Sequence, residues 1–388
     1  MLSTRKNKPL VGLDIEAGSV AAAEVSANGH IVVTEFGMLP LGPGVFRDGE
    51  LADGEALSSV LKELFSRNKL SKSVRLGLAS QRMAVRVLRL PSIDDKKELQ
   101  TAIRFQAQDL IPMPLDQAVL DWQVVGRVAG DNGEHMLDVV VVAARRESVR
   151  GLVAALRQAG LRPVGVDLSA FGMIRALARG QYFGVGPGAY VDAPGAGVEP
   201  QPDQIAGHLG GEGSVAAAIP DPDPVPARLY CNLGDVTNVA VARGSACLFT
   251  RVCPFGLEGI AQRLAERRQL TIEHARQWLG HVGLEAPLES VDGDPEVISA
   301  ARDSLAEGAT RLVEELRLTL EYYGAQDGAV AVDGVVACGA GTTIPGLVER
   351  VQRDLAQRFE VGRPQPLGHL DETTAARLTI SYGLGLGE

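Results

Sequence analysis

No stretch of this chain holds about 18 consecutive apolar residues, the length a membrane-crossing helix needs. The opening residues, MLSTRKNKPL, are basic but lack the apolar core of a signal peptide. These absences predict a cytoplasmic protein whose membrane association, if any, comes through a partner. Cysteine is scarce as well. Cys231, Cys247, Cys253 and Cys338 form no C-x-x-C pair, and three of them fall in apolar runs. They read as small buried hydrophobes in a reducing compartment, not as a disulfide framework. The histidines are few and scattered. His274 and His281 could share a helix face, but no third ligand lies near, so no metal site is expected. Positive charge is in deficit: 38 Lys and Arg stand against 48 Asp and Glu, a net charge of −10. That balance argues against a general nucleic-acid binder, which needs a basic footprint. Aromatics make up only 4%, so the core must be mostly Val, Leu, Ile and Ala. At 45% hydrophobic the chain can still bury a large core. Its length allows about two to four domains.

What is present is a duplicated pattern. Tyr230–Gly256, YCNLGDVTNVAVARGSACLFTRVCPFG, has a tight Asn-Leu-Gly-Asp turn, an apolar run, a Gly turn and a second apolar run. It reads as a meander of three short strands. Val11–Gly37 repeats the plan, with Asp14 at the place of Asn232 and Asn28-Gly29 at the second turn. Two such copies, each followed by helices, predict a chain of two similar halves. A hairpin of this kind can hold a phosphate on backbone N–H groups, because glycine lets the backbone approach an anion closely.

Between the copies the texture changes. Met83–Gly160 reads as a β-α-β-β-α module: a strand with Arg86 and Arg89 interleaved, a helix capped by Asp94 or Asp95, two strands around Asn132-Gly133, and a helix closed by Gly160. From Gly180 to Pro226 the chain is dense in Pro, Gly and Asp without any period, as expected of a linker. Beyond the second meander, helices are predicted over Leu257–Arg268 and Ile272–Val282, and one or two long ones over Pro295–Tyr323. Val332–Cys338 is a strand running into Gly339-Ala340-Gly341 and a helix from Pro345 to about Phe359. Leu378–Ile380 is read as a last strand.

Four local patterns resemble the actin-like ATPase superfamily, and within it the PilM family of type IV pilus assembly proteins. They are Gly12-Leu13-Asp14-Ile15; the inserted module's Arg89-Leu90-Pro91, Phe105–Leu115 (FQAQDLIPMPL) and Asp121-Trp122-Gln123; Ala159-Gly160-Leu161 with Val166-Asp167-Leu168; and Cys338-Gly339-Ala340-Gly341 with Ile344-Pro345-Gly346-Leu347. The resemblance covers nearly all the chain outside the linker. It implies an α/β, duplicated actin-like (ribonuclease H-like) fold, two halves around a cleft, with a small inserted domain. The first half would run over 9–82 and return over 164–180. The inserted domain would be 83–163, the linker 181–226 and the second half 227–388.

The family also implies a nucleotide cleft and a PilN-like bitopic membrane protein whose cytoplasmic tail docks beside the inserted domain. Links to pilus motor and platform proteins, and a homo-oligomer, come with it. The nucleotide candidates are Asp14, Gly18, Ser19, Gly234, Asp235, Thr237, Gly339 and Gly341, with ATP and Mg²⁺ as the cofactor. Several positions depart from the family pattern. Glu16 replaces a glycine, Ala21 a lysine, and Asn232 an aspartate, while Arg276 and Leu279 stand where an acid and a lysine meet the ribose. A degenerate cleft is therefore expected, with at most weak ATPase activity. The candidate partner surface is Arg104, Gln106, Asp109, Ile111, Pro112 and Trp122, where charge reversal at Asp109 or Arg104 should weaken binding. The competing readings are a division protein similar to FtsA and a small-molecule kinase of the same superfamily.

Overall fold

The computed structural model describes residues 9–28, 30–47, 50–129, 134–178, 226–326 and 328–386. The expected linker up to residue 225, the N-terminal tail and Asn132-Gly133 lie outside them.

The first half begins with β1 (Leu10–Ile15), β2 (Ser19–Asn28) and β3 (His30–Pro40), an antiparallel meander in which Leu13 faces Ala22 and Ile15 faces Val20. A short ribbon follows, β4 (Phe46–Arg47) with β5 (Glu50–Leu51). Asp53 then caps α1 (Gly54–Arg67), accepting from the N–H groups of Glu55 and Ala56. A side-chain acceptor here satisfies donors that have no partner inside the helix. β6 (Ser73–Leu78) lies parallel to β1.

The inserted module comes next: β7 (Ala84–Pro91), α2 (Lys96–Leu110) capped by Asp95, β8 (Ala118–Ala129) and β9 (His135–Arg145). Its three strands form a separate sheet in the order β7-β9-β8. Leu88, Leu90, Leu99, Ile103 and Ala107 make its own small core with Val139 and Val141. α3 (Arg146–Gln158) follows β9 in the chain but packs elsewhere. Its Leu152, Ala155 and Leu156 join Leu57, Leu61 and Leu64 of α1 in the core of the first half. The fifth element read into the module thus serves as its anchor on the first half. β10 (Arg162–Leu168) then pairs in parallel with β6, and α4 (Ser169–Leu177) follows directly.

The second half repeats the plan with β11 (Ala227–Leu233), β12 (Thr237–Arg243) and β13 (Ala246–Cys253). Helices α5 (Leu257–Arg268), α6 (Ile272–Val282) and the 30-residue α7 (Pro295–Gly324) follow, the last with Asp294 as cap and Pro295 in its first turn. After them come β14 (Val332–Cys338), α8 (Leu347–Leu355), β15 (Phe359–Val361) and α9 (Glu372–Gly385). The two large sheets have the same order: β3-β2-β1-β6-β10 in one half and β13-β12-β11-β14-β15 in the other. In both, two parallel strands extend the sheet beside the first strand of a meander. Asp14 and Asn232 each sit one residue before the end of that first strand.

Where a last strand was read at Leu378–Ile380, the chain is helical. Asp371 caps α9, and nearly every residue from Ala375 to Gly385 is buried. A helix buried on all sides has no polar stripe, so its apolar run carries no helical period to read. α9 joins the halves. Its Leu378, Ile380, Tyr382 and Leu384 share a core with Met173 and Leu177 of the first half and Tyr230, Ala240 and Cys338 of the second. Each such side chain, fully buried, contributes about 1.5–3 kcal/mol of transfer free energy. All four cysteines are buried thiols.

Candidate functional site

The duplicated architecture brings two turns face to face. The β1–β2 turn carries Asp14, Glu16, Gly18 and Ser19. The β11–β12 turn carries Asn232, Gly234, Asp235 and Thr237. Because β14 is parallel to β11, the loop after it lies against the second turn. Gly339 has φ +89, and a Cβ there would come within 2.2 Å of the Asn232 Oδ1. Only glycine meets both demands, a left-handed backbone and so close a neighbour. Beyond the turns opens a cleft of about 1490 Å³ lined by Gly18, Ser19, Asp235, Arg276, Thr343 and Arg377. A smaller recess of about 330 Å³ reaches inward to Asp14, Glu16, Asn232 and Gly339. Of the eight expected nucleotide residues, Asp14, Gly18, Ser19, Asp235 and Gly339 line these spaces, whereas Gly234, Thr237 and Gly341 do not.

The turns are bonded to each other. The Gly18 N–H donates to the Asp235 Oδ2 at 2.6 Å. In return the Asp235 N–H donates to the Glu16 Oε2 at 3.3 Å, and the Asn232 Nδ2 donates to the Glu16 Oε1 at 3.0 Å. The glycines are covered too. A Cβ on Gly18 would lie 2.0 Å from the Arg276 guanidinium, and one on Gly234 would lie 2.0 Å from the Glu16 Oε1. Arg276 is also paired with Glu258.

Three acids share this space, and burial raises all of them. Glu16 as a residue is partly accessible, yet its carboxyl is enclosed between the turns. Desolvation, with Asp235 and Asp14 adding repulsion, pushes it from 4.5 to about 8. Asp14 is pushed to about 6 by burial and Asp235, against the hydrogen bond its Oδ1 accepts from the Ser169 Oγ at 2.9 Å. Asp235 is raised by burial, against the pull of Arg276 and the Gly18 N–H.

A triphosphate with Mg²⁺ does not fit this arrangement as it stands. The backbone N–H groups of Gly18 and Asp235, one in each turn, are already satisfied by carboxyl groups. The surface of Gly18 is covered by the Arg276 guanidinium and that of Gly234 by the Glu16 carboxyl. Asn232 supplies no anionic ligand for the metal, and burial raises Glu16, Asp14 and Asp235 toward their neutral forms.

A second concavity lies between the first half and the inserted module. It holds about 530 Å³ and is lined by Ile15, Phe46, Leu51, Leu78, Met83 and Leu152 among its apolar residues, and by Arg82, Arg145 and Ser148 among its polar ones. The Ser148 hydroxyl donates to Glu50 on the far wall. None of the six candidate partner residues lines this groove. Arg104, Asp109 and Pro112 are exposed on α2 or just beyond it. Gln106 and Trp122 are half-buried, and Ile111 is buried in the module's core. Phe105, 73% exposed, is the most open large apolar side chain of that surface, and the sequence reading left it out. Arg377 was also left out, since a strand reading of its neighbours gives no reason to aim it at the cleft.

Two halves of one strand order, meeting at paired turns around a cleft, define an actin-like fold. The structure of MreB 5 of Spiroplasma citri bound to AMPPNP matches it with a TM-score of 0.51 at 11% identity, over 97% of this chain and 95% of that one. A PilM-PilN type IV pilus biogenesis complex matches with a TM-score of 0.73 at 22% identity, over 97% of both chains. Residues 12–183 match the family model for the type IV pilus assembly protein PilM, so within the actin-like superfamily it is PilM that this chain resembles. No helix among the described residues is long and apolar enough to cross a membrane.

Proposed function

We propose that the chain is a cytoplasmic adaptor of type IV pilus assembly. It binds the cytoplasmic tail of a PilN-like membrane protein in the groove between the first half and the inserted module, residues 83–163. The tail holds it at the inner face of the cytoplasmic membrane and links it to the pilus motor, while the cleft between the halves is degenerate. The observation that carries this reading is the groove itself, a small concavity of mixed apolar and polar lining where the first half meets the inserted module, able to take a side chain of an extended peptide. Both its walls fall within residues 12–183, the stretch that matches the PilM family. The similar solved structure, by its own description, is a PilM-PilN complex.

Fluorescence anisotropy with a labelled PilN-like tail peptide tests the assignment. Ser148→Trp fills the groove and should weaken binding at least about tenfold, a loss of about 1.4 kcal/mol or more. Asp109→Lys, on the exposed face of α2, should leave binding unchanged. The reverse pattern moves the partner site to α2, and an undiminished affinity of both variants removes the groove from the account.

A further inference from the structure

Each phosphate turn of this fold offers a backbone N–H and a glycine, and in this chain the opposite half supplies what meets them. Asp235 of the second turn accepts the Gly18 N–H of the first. Glu16 of the first turn accepts the Asp235 N–H and the Asn232 amide of the second. The exchange is reciprocal, and three hydrogen bonds cross the cleft. The surface of Gly234 is taken by the Glu16 carboxyl and that of Gly18 by Arg276, which Glu258 holds from the side. These are the contacts by which such turns approach an anion. We infer that Glu16 and Asp235 are an internal occupant of the two phosphate turns, a latch that holds the halves closed without nucleotide and keeps phosphate out.

The inference rests on the reading of the cleft as a degenerate nucleotide site and is independent of tail binding in the groove. It differs from simple loss of the site. In simple loss, the turns are inert and Glu16 is a bystander. In a latch, Glu16 is the obstacle at the second turn, and its removal frees the Asp235 N–H and the surface of Gly234. The group most exposed to this difference is the Glu16 carboxyl, because Asp235 remains paired with Gly18 when Glu16 is gone.

Equilibrium dialysis of ATP against the full chain, with Mg²⁺ and separately with EDTA, compares the wild type with Glu16→Gly. Removing a carboxyl from beside the phosphates should tighten ATP binding at least about tenfold. Equal affinity in the two proteins, including no binding by either, overturns the latch. Hydrogen exchange on the wild type decides the matter even if Glu16→Gly does not fold. The amides of Gly18 and Asp235 should exchange slowly without ATP and change little when it is added. Rapid exchange that slows only with ATP overturns the latch. Tail-peptide affinity is read in parallel. A Glu16→Gly protein that gains ATP but binds the peptide as the wild type does supports the latch whatever becomes of the groove. A wild type that fails to bind peptide while its turn amides stay protected sinks the adaptor reading alone.

Discussion

Glu16→Gln should gain stability relative to the wild type as the pH rises from about 4.5 to about 8, and keep that gain above it. Glu16 is raised from 4.5 to about 8 in the folded protein, first by desolvation and then by Asp235 and Asp14. A raised acid binds its proton more tightly folded than unfolded. Between those two values the folded chain keeps a proton that the unfolded chain has lost. Stability therefore falls as the pH rises through this window, and the loss is complete above the folded value. Gln is neutral at every pH, so it escapes the loss. Its amide nitrogen cannot accept the second of the two hydrogen bonds that the Glu16 oxygens take from Asn232 and Asp235, an offset that does not change with pH. Each tenfold gain in proton affinity is worth about 1.4 kcal/mol, and sharing protons with Asp14 and Asp235 reduces the part that belongs to Glu16 alone, which leaves about 2–4 kcal/mol between the ends of the window. Urea melts of both proteins from pH 5 to 9 measure the difference. Asp14, raised to about 6, titrates in both and largely cancels in the comparison. Parallel stability curves would mean that the Glu16 carboxyl is solvated and that its contact with Asn232 and Asp235 is not maintained in solution.

The turn that holds Glu16 was legible in the sequence, and so was the oddity of an acid at that position. Its partner was not. Glu16 and Asp235 stand 219 residues apart, in different halves of the chain, and nothing local says that the two turns meet. Local signals served well where local physics decides. Asp95, one of the two caps the sequence offers, starts α2, and the Gly244 turn closes a hairpin at φ +57. The duplicated meander followed from turn chemistry alone, and the two matching sheet orders bear out the duplicated fold. Sequence reading faltered where packing decides. α9 is buried nearly all round, so it passed for a strand, and Arg377, the one exposed residue between Ala375 and Gly385, went unnoticed. The groove is lined by β1, the β4–β5 ribbon, β6, β9 and α3, which the chain visits far apart, so no single motif outlines it. The conspicuous stretch around Gln106–Pro114 drew attention instead. Part of what makes it conspicuous, Ile111 with Met113 and Leu115, is spent on the core of the inserted module.

The helix that sequence reading missed is also where a single methyl group should do most damage. α9 lies on a floor of glycines. A Cβ on Gly12 of β1 would meet the Ser381 carbonyl oxygen at 1.9 Å and the Gly385 nitrogen at 2.5 Å. A Cβ on Gly383 would meet the Gly172 carbonyl oxygen at 1.8 Å. These obstacles are backbone, so no rotamer change relieves them. The helix must lift from β1, and with it Leu378 and Leu384, both without solvent exposure, lose part of their packing in the core the halves share. Overpacking of this kind costs about 1–3 kcal/mol when neighbours can give, and more when they cannot. Gly12→Ala should therefore destabilise the protein by at least about 3 kcal/mol. Gly280→Ala is the matched control, since it lies inside α6 with nothing within 4 Å of its added methyl. There alanine only removes backbone freedom from the unfolded chain, and a gain of about 0.5–1 kcal/mol is expected. Urea denaturation of the two variants beside the wild type should move the midpoints in opposite directions. Because α9 also carries Arg377 into the cleft, lifting it in Gly12→Ala should loosen the joint between the halves before either half unfolds, seen as faster exchange of the Gly18 and Asp235 amides than the global stability loss accounts for. A Gly12→Ala protein as stable as the wild type would mean that α9 does not rest on β1.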